Sequence, residues 1–444
     1  MITTLPFTAS EAARPQRRLL AFHTSTVMVW TAISLIVMET FSGALRYYLD
    51  LAHLAPLMYV PKALCSLMFA YELIRVKANR AFWLCVIALA ASCLLALLHG
   101  AALNNVIFSL FMYSPLLFGI ICGIHLEHRK RLLAWVIGLC LLASILGILL
   151  DRYASVPWKG YSYNLGDTEL KGNTAWTSGD NDRLAGFARQ STMAAMLLAS
   201  FALYLSAYTR SWLKLAVLFA ATLGAVYMTT NKSTAAAMAI TLMVLPLMRA
   251  PMLCRLAILV VVGMGVALPL LSLMIDFDPT KTTGASVLAS FYDRLVNTWP
   301  TVVARVTEQG LDWTLFGGGF GLIGSSVSLF PVYSAQPSAI CDNTLLYLWA
   351  GFGLAGALLY LAAVPLMFRL LAKRTPTATA YLTITFCTVL VSWTTDVLEL
   401  SVGNLFLGLA VSHVLLRKAM PTHTSLADRR AVDRDQVPDP FKAL

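Results

Sequence analysis

The sequence predicts an all-α, polytopic membrane protein with about twelve transmembrane helices. Of its 444 residues, 58% are hydrophobic and only 12% are charged, whereas about a quarter of the residues in a soluble domain are charged. Apolar windows of about 20 residues, the length that crosses about 30 Å of hydrocarbon, recur along the whole chain. The sequence lacks the short alternating segments of a transmembrane β-barrel, which favours a helical bundle.

Each predicted transmembrane helix corresponds to one apolar window. In chain order the windows cover residues 25–42, 55–75, 81–99, 104–125, 131–150, 185–208, 212–229, 233–249, 255–276, 343–368, 376–394 and 398–416. Lys and Arg are concentrated in short loops that fall on one side of this arrangement, such as 75–80 and 129–131. The positive-inside rule makes that side the cytoplasm and places both termini there.

The predicted topology divides the chain into three parts. Residues 1–24 form a cytoplasmic N-terminal segment, residues 25–420 a single integral membrane domain, and residues 421–444 a polar, disordered cytoplasmic tail. The net charge of +11 is explained by topology signals and the basic tail, so it implies no nucleic-acid partner. The 8 cysteines include no C-x-x-C pair, and neither a metal site nor a cofactor is expected.

Two long segments, 151–184 and 277–341, are predicted to face the periplasm. The first is rich in Tyr, Trp and Asn, which suit either carbohydrate binding or an interfacial aromatic belt. In the second, apolar residues at three- and four-residue spacing predict an amphipathic helix over 285–308, lying along the outer membrane surface. The glycine-rich run 317–324 lacks the βαβ unit of a dinucleotide site and is predicted to be a flexible turn.

Among the basic residues on the outward side, where the topology rule disfavours them, three are candidate ligands for an anion. Arg189 lies about one turn into the sixth window, Lys232 in the turn before the eighth, and Arg294 on the amphipathic helix. Cations at a membrane face suit an anionic lipid headgroup such as a pyrophosphate, which arginine contacts through paired hydrogen bonds. The alternative interpretations are a snorkelling side chain for Lys232 and an exposed pair of Arg294 with Asp293.

Asp342 is the candidate catalytic base. It lies where the second periplasmic segment meets the tenth window, and a carboxylate there is costly unless it has a partner or a purpose. No histidine lies within 277–341 to serve as the base instead. Asp396 and Glu399, before the last window, are either supporting residues or ordinary interfacial polar groups.

Three stretches of the chain combine charged residues with glycines at particular spacings. They are Arg183 to Phe187, which resembles R-x-x-G-x-F; Arg294 to Trp299 with the run 315–321, which resembles S-R-x-x-x-W…P-x-x-G-x-G-x-G; and Asp342, Asn343, Gly353 and Gly356, which fit H-[NSQ]-x9-G-x-x-G. With the many-span layout, they resemble the membrane glycosyltransferases of the O-antigen ligase and O-antigen/exopolysaccharide polymerase superfamily. Members that act as ligases carry His where this chain has Asp342, and the Arg of their "S-R-G" turn corresponds to Lys232.

The resemblance implies a GT-C-like fold and a glycan donor carried on undecaprenyl pyrophosphate in the outer leaflet of the inner membrane. By the same resemblance, Asp342 activates the acceptor hydroxyl, and Arg189, Arg294 and Lys232 bind the departing pyrophosphate without a metal. It also implies supporting roles for the four remaining residues of these motifs. They are Arg183, Asn343, Gly353 and Gly356.

Three functions are compatible with these residues. The first is a polysaccharide polymerase that joins two lipid-linked glycans, with a chain-length regulator as a further partner; Asp in place of His favours it. The second is a ligase that transfers the finished glycan to lipid A–core or to protein. The third is a transporter or flippase, which would place ionisable residues near the bilayer midplane in two related halves.

Overall fold

The structure, a computed structural model, describes residues 24–75, 80–165, 168–175, 177–178, 181–278, 280, 288–332 and 340–415. Apart from Thr24, the predicted N-terminal segment and the predicted C-terminal tail from 421 onward lie outside these residues.

The first half of the described chain is built from nine helices. They are α1 (Thr24–Thr40), α2 (Ser42–Leu51), α3 (Val60–Leu73), α4 (Arg80–Leu98), α5 (Leu103–Glu127), α6 (Lys130–Tyr153), α7 (Ser191–Ser206), α8 (Trp212–Met228) and α9 (Lys232–Val244). Short 3₁₀ turns at Ala55–Tyr59 and Leu245–Arg249 precede α3 and follow α9.

The second half continues the helical pattern. Its helices are α10 (Pro251–Met274), α11 (Ala289–Asp293), α12 (Trp299–Glu308), α13 (Leu311–Phe316), α14 (Ser325–Leu329), α15 (Thr344–Leu361), α16 (Ala363–Lys373), α17 (Pro376–Val391) and α18 (Ser401–Leu415). A π turn at Arg294–Thr298 joins α11 to α12, and a 3₁₀ turn at Val397–Glu399 precedes α18.

The predominantly helical class is confirmed, and several helices are suited to a membrane. Four of them, Leu103–Glu127, Lys130–Tyr153, Pro251–Met274 and Thr344–Lys373, are long and apolar enough to cross a bilayer. The pair α1 and α2 gives a fifth if it counts as one span. Every one of the twelve predicted windows contains a helix, but the other described helices are shorter, so twelve crossings and a GT-C-like fold stay predictions.

Local sequence explains where several helices begin. The Asn231 side chain accepts a hydrogen bond from the Thr234 N–H at 3.0 Å and caps α9, and Asn343 caps α15 in the same way. Thr375 caps α17, and the Pro376 that follows has no N–H to leave unpaired.

Three helical segments differ from the continuous spans that hydropathy predicts. The chain bends by 88° between α1 and α2. Helix α15 is broken at Gly353, whose φ is +59° and whose ψ is −140°. The amphipathic helix is confirmed over 289–308, but Trp299 on its inner face is fully buried, so it packs into the protein as well as facing the surface.

The glycine-rich run is a buried, hydrogen-bonded loop, so its prediction as a flexible turn is wrong. All residues from 317 to 324 are buried. The Gly318 and Gly319 N–H groups donate to the Ala350 and Gly351 carbonyls of α15 at 2.8 and 3.1 Å. Gly317 and Gly319 have φ values of +80° and +104°, which glycine adopts at little cost. The loop therefore packs backbone against backbone beside the break in α15.

The segment 151–184, which is predicted to face the periplasm, adds two short antiparallel ladders that hydropathy does not predict. Strands β1 (Ser162–Leu165) and β2 (Thr168–Lys171) form one, and β3 (Thr177–Ser178) and β4 (Asn181–Asp182) the other. Within the described ranges these four strands are the β structure of the protein. They carry the chain from α6 to the residues that precede α7.

Candidate functional site

Helix ends from both halves of the chain converge on one cavity of about 1610 Å³. The C-terminal ends of α1, α10 and α17 and the N-terminal ends of α3, α5 and α9 contribute to its wall. These are the ends that the predicted topology assigns to the periplasmic side. Six basic and four acidic side chains are among its lining residues. They are Arg46, Lys62, Arg183, Arg189, Lys232, Arg294, Glu39, Asp342, Asp396 and Glu399.

Asp342 forms an ion pair with Arg294 in this cavity. The Arg294 Nη2 to Asp342 Oδ2 distance is 3.0 Å, and the two side chains are 19% and 31% exposed. Burial raises the pKa of the Asp342 carboxyl and the nearby Asp293 raises it further, whereas Arg294 and Arg183 oppose the rise. The result is a carboxylate that is partly desolvated and held toward a cation, which suits a general base.

The backbone around Asp342 is held by the segment that follows α17. The Asp396 Oδ2 atom accepts hydrogen bonds from the N–H groups of Cys341 and Asp342, at 3.1 and 3.3 Å. Its Oδ1 atom accepts the Asn343 N–H at 3.2 Å. Burial raises the pKa of Asp396, as do the neighbouring acids Glu399 and Asp342, while the N–H donors oppose this rise.

Arg189 lies immediately before α7, so its prediction one turn inside a helix is wrong. The chain from 184 to 190 turns instead, because its backbone groups bond to three other segments. The Asp151 Oδ2 atom accepts the N–H groups of Ala185 and Gly186 at 3.0 Å each. The Arg189 N–H donates to the Ser42 hydroxyl at 3.0 Å, and Gly186 has a φ of +61°.

Arg189 and Arg46 form the core of a second charged group in the cavity. Burial and, secondly, the like charge of Arg46 lower the pKa of Arg189 to about 10, so Arg189 stays charged at neutral pH. The Arg189 Nε donates to the Lys171 carbonyl at 3.2 Å, whereas the buried Arg46 Nε has no hydrogen-bond partner. Tyr59 and Tyr163, whose hydroxyls are 3.0 Å apart, lie beside these guanidiniums.

A third charged pair, Lys62 and Glu39, joins α3 to α1. The Lys62 Nζ atom lies 3.0 Å from the Glu39 Oε1 atom, and both side chains are nearly buried. Glu39 thus has Lys62 as its direct ion-pair partner, and it also interacts electrostatically with Arg46 and Arg189.

Lys232 and Glu399 complete the polar wall. Lys232 is the first residue of α9 and lines the cavity. Glu399 accepts a hydrogen bond from the Ser325 N–H at 2.7 Å and a second from the Ser325 hydroxyl. Burial raises the pKa of Glu399, and the Ser325 donors and Arg189 lower it.

Three of the predicted supporting residues act on the backbone and do not line the cavity. Asn343 is fully buried, caps α15 and donates to the Trp393 carbonyl at 3.2 Å. A Cβ atom at Gly353 would collide with the Leu315 carbonyl, and one at Gly356 with the Leu348 carbonyl. Their spacing therefore allows the break in α15 and the packing of the glycine loop against it.

The structure brings together every predicted charged residue: Asp342, Arg189, Arg294, Lys232 and Arg183 all line the cavity. Sequence reasoning missed Arg46, Lys62, Glu39 and Tyr59. A signal existed, because Glu39 and Lys62 are opposite charges inside two neighbouring apolar windows, and intramembrane charges of this kind usually pair.

No protein-family model matches this sequence, and no curated protein matches it at a significant level. Within the described part of the chain, no three His, Cys, Asp or Glu side chains come together as metal ligands would. The functional interpretation therefore depends on the residues and geometry of the cavity.

Proposed function

We propose that this protein is a membrane glycosyltransferase that polymerises a bacterial surface polysaccharide at the periplasmic face of the inner membrane. The observation that carries the proposal is the gathering of one candidate base, six basic side chains and a set of apolar side chains in one cavity. For a polyprenyl-pyrophosphate-linked glycan, the apolar side chains would bind the lipid, the cations would bind the pyrophosphate and the base would activate the acceptor hydroxyl.

The lipid part of the donor is assigned to the apolar wall. Helices α5, α9 and α10 contribute hydrophobic side chains to the same cavity that holds the charges. These are Ile107, Phe108, Phe111, Ile240, Met264 and Leu268. Burying such side chains against an isoprenoid chain removes apolar surface from water and favours binding.

The pyrophosphate is assigned to Arg189 and Arg46, with Lys232 as the third cation. The two guanidiniums lie close enough for the charge of Arg46 to lower the pKa of Arg189, and a doubly charged anion between them relieves this repulsion. The unpartnered Arg46 Nε offers one hydrogen bond to such an anion. Arg189 and Lys232 thus keep the pyrophosphate-binding role that the sequence predicts for them, whereas Arg294 is assigned to Asp342 instead.

The reaction then proceeds as a single displacement. The acceptor hydroxyl oxygen attacks the anomeric carbon of the donor, and Asp342 takes the hydroxyl proton. The bond from the anomeric carbon to the pyrophosphate oxygen breaks, and its electron pair leaves with undecaprenyl pyrophosphate. Arg189, Arg46 and Lys232 stabilise the charge that grows on this leaving group. Arg294 orients the Asp342 carboxylate, and Arg183 lies beside that pair.

The test is transfer by purified protein in nanodiscs, with a synthetic lipid-pyrophosphate-linked repeat unit as both donor and acceptor. Products are separated by length by mass spectrometry. We expect lengthened lipid-linked chains, and a loss of at least about 100-fold in rate for Asp342→Asn, because general-base catalysis contributes about 10²- to 10⁴-fold. Wild-type turnover by correctly folded Asp342→Asn would remove Asp342 as the base.

The same preparation separates the alternatives. A ligase would transfer glycan only when lipid A–core or protein acceptor is supplied. A transporter would move the lipid-linked unit across a liposome membrane without forming a glycosidic bond. The breaks after α1 and within α15 are the feature that favours transport, because discontinuous helices often form transporter binding sites.

A further inference from the structure

Asp342 is held through its backbone as well as through its side chain. It has a φ of +49°, a left-handed conformation that is unfavourable for residues other than glycine. Such a conformation persists only where the surroundings fix it. The described structure shows three groups that do so.

Three separate elements each make one contact with Asp342. The Asp342 side chain is paired with Arg294, its carbonyl accepts the Trp299 Nε1–H at 3.3 Å, and its N–H donates to Asp396. Arg294 is the first residue of the π turn and Trp299 directly follows it, and such turns recur at functional sites. Asp396 comes from the opposite wall, after α17.

Of these three partners, Asp396 forms hydrogen bonds to the longest stretch of backbone. Its two carboxylate oxygens accept three consecutive N–H groups, those of Cys341, Asp342 and Asn343, at 3.1, 3.3 and 3.2 Å. A carboxylate can accept all three, whereas an amide has only one accepting atom and presents donors to the rest. Asp396 thus fixes where the Asp342 side chain leaves the backbone.

We propose that Asp396 is a positioning residue, whose carboxylate holds the 341–343 turn so that Asp342 points into the cavity toward Arg294. The proposal rests on the proposed function, in which Asp342 is the base. It assigns no contact between Asp396 and substrate.

The site should survive the loss of this carboxylate as a folded structure. Other bonds join the same two segments: the Thr344 N–H donates to the Ser392 carbonyl at 3.0 Å, and the Thr344 hydroxyl donates to the Thr395 carbonyl at 2.8 Å. The Val397 N–H also donates to the Thr344 hydroxyl at 3.1 Å. Replacing Asp396 by the isosteric Asn therefore loosens the turn without detaching the segment.

The experiment measures kinetics and cysteine reactivity of Asp396→Asn. We expect kcat to fall by about 10- to 100-fold, the size that small displacements of a catalytic group produce. The KM for donor should change by less than about twofold, because the cations assigned to the pyrophosphate are untouched. A matched variant, Asp151→Asn, loosens the turn that carries Arg189 and should instead raise the donor KM.

Cysteine alkylation gives a readout that does not depend on activity. Cys341 is fully buried beside the Asp396 carboxylate, and Cys387 on α17 is 2% exposed. With N-ethylmaleimide and peptide mass spectrometry, Asp396→Asn should speed alkylation of Cys341 and leave that of Cys387 unchanged. A merely destabilised protein would expose both.

The controls separate this proposal from the proposed function. Asp312→Asn removes an acid whose side chain is 64% exposed and lies outside the cavity lining, and it should behave as wild type. If Asp396→Asn keeps wild-type kcat, or leaves Cys341 protected, the positioning role is overturned even where Asp342→Asn is inactive. If Asp396→Asn does not fold, Asp396→Glu, whose carboxylate is displaced by one methylene, must show the same kcat loss and Cys341 exposure. A folded Asp396→Glu with wild-type values also overturns the proposal.

Discussion

Replacing Arg294 by Gln is expected to move the acidic limb of the rate profile toward higher pH. Three charged groups act on Asp342: Arg294 and Arg183 favour its ionised form, whereas Asp293 disfavours it. Loss of the Arg294 cation, 3.0 Å away, therefore raises the pKa of Asp342, and the base is protonated at a pH where it is ionised in the wild type.

The size of the shift follows from the pair's burial. An adjacent arginine lowers an aspartate pKa by about 1–3 units. Because the side chains of Arg294 and Asp342 are 19% and 31% exposed, solvent screening favours the lower part of that range. A rise of about 1–2 units cuts the ionised fraction at the wild-type midpoint from one half to between about 9% and 1%. The rate at that pH should fall by about 5- to 50-fold for this reason alone.

The assay is kcat/KM across pH for wild type, Arg294→Gln, Arg294→Lys and Asp293→Asn. The lysine variant keeps the charge and should show the smaller shift. Asp293→Asn removes a carboxylate that raises the Asp342 pKa, so its acidic limb should move to lower pH. An unmoved limb in Arg294→Gln, or a shift in the same direction for both neutralising variants, would refute this electrostatic account.

Two further predictions concern the stability of the protein in detergent, which is measured by thermal denaturation. Gly317→Ala should lower the denaturation midpoint by the equivalent of about 1–3 kcal/mol, because Gly317 has a φ of +80° and a Cβ atom there would lie 2.6 Å from the Gly351 carbonyl carbon. Its control is Gly224→Ala in α8, where a Cβ atom meets nothing within 4 Å, and this variant should be neutral or stabilising by about 0.5–1 kcal/mol. Lys62→Met should cost about 3–5 kcal/mol by leaving Glu39 buried without its cation, and the double variant with Glu39→Gln should recover most of that loss. Equal midpoints for the two glycine variants, or a double variant no better than Lys62→Met, would contradict these explanations.

The sequence predicts the helices better than it predicts their breaks. Hydropathy places a helix in each window because burial of apolar length is a property of local composition. It ends the first window at residue 42 but does not predict that the chain bends by 88° there and continues as helix α2. The bend arises from long-range contacts: the Gly43 and Ala44 N–H groups donate to the Phe187 carbonyl, nearly 150 residues away.

The candidate site is likewise predictable from the sequence only in part. Charge at an unexpected depth is visible in a sequence, and it led to Arg189, Lys232 and Asp342. Partners are not visible, because pairing depends on which helix ends meet. Arg294 was assigned to the pyrophosphate, yet its guanidinium lies on Asp342. Arg46 was overlooked because the window that precedes it was expected to end at a simple loop, whereas α2 turns this side chain into the cavity.

The left-handed backbone at residue 342 limits which side chains can serve there. Outside glycine, that conformation is adopted chiefly by Asn, Asp and His, and it strains β-branched and longer residues. Of these, Asp and His are the two that can accept a proton near neutral pH. The local backbone therefore favours Asp and His over Glu as the base at this position. In a library at residue 342, Asp and His should give the highest activity, and the acidic limb of the His variant should lie below about pH 6.5, because burial and the two arginines disfavour imidazolium.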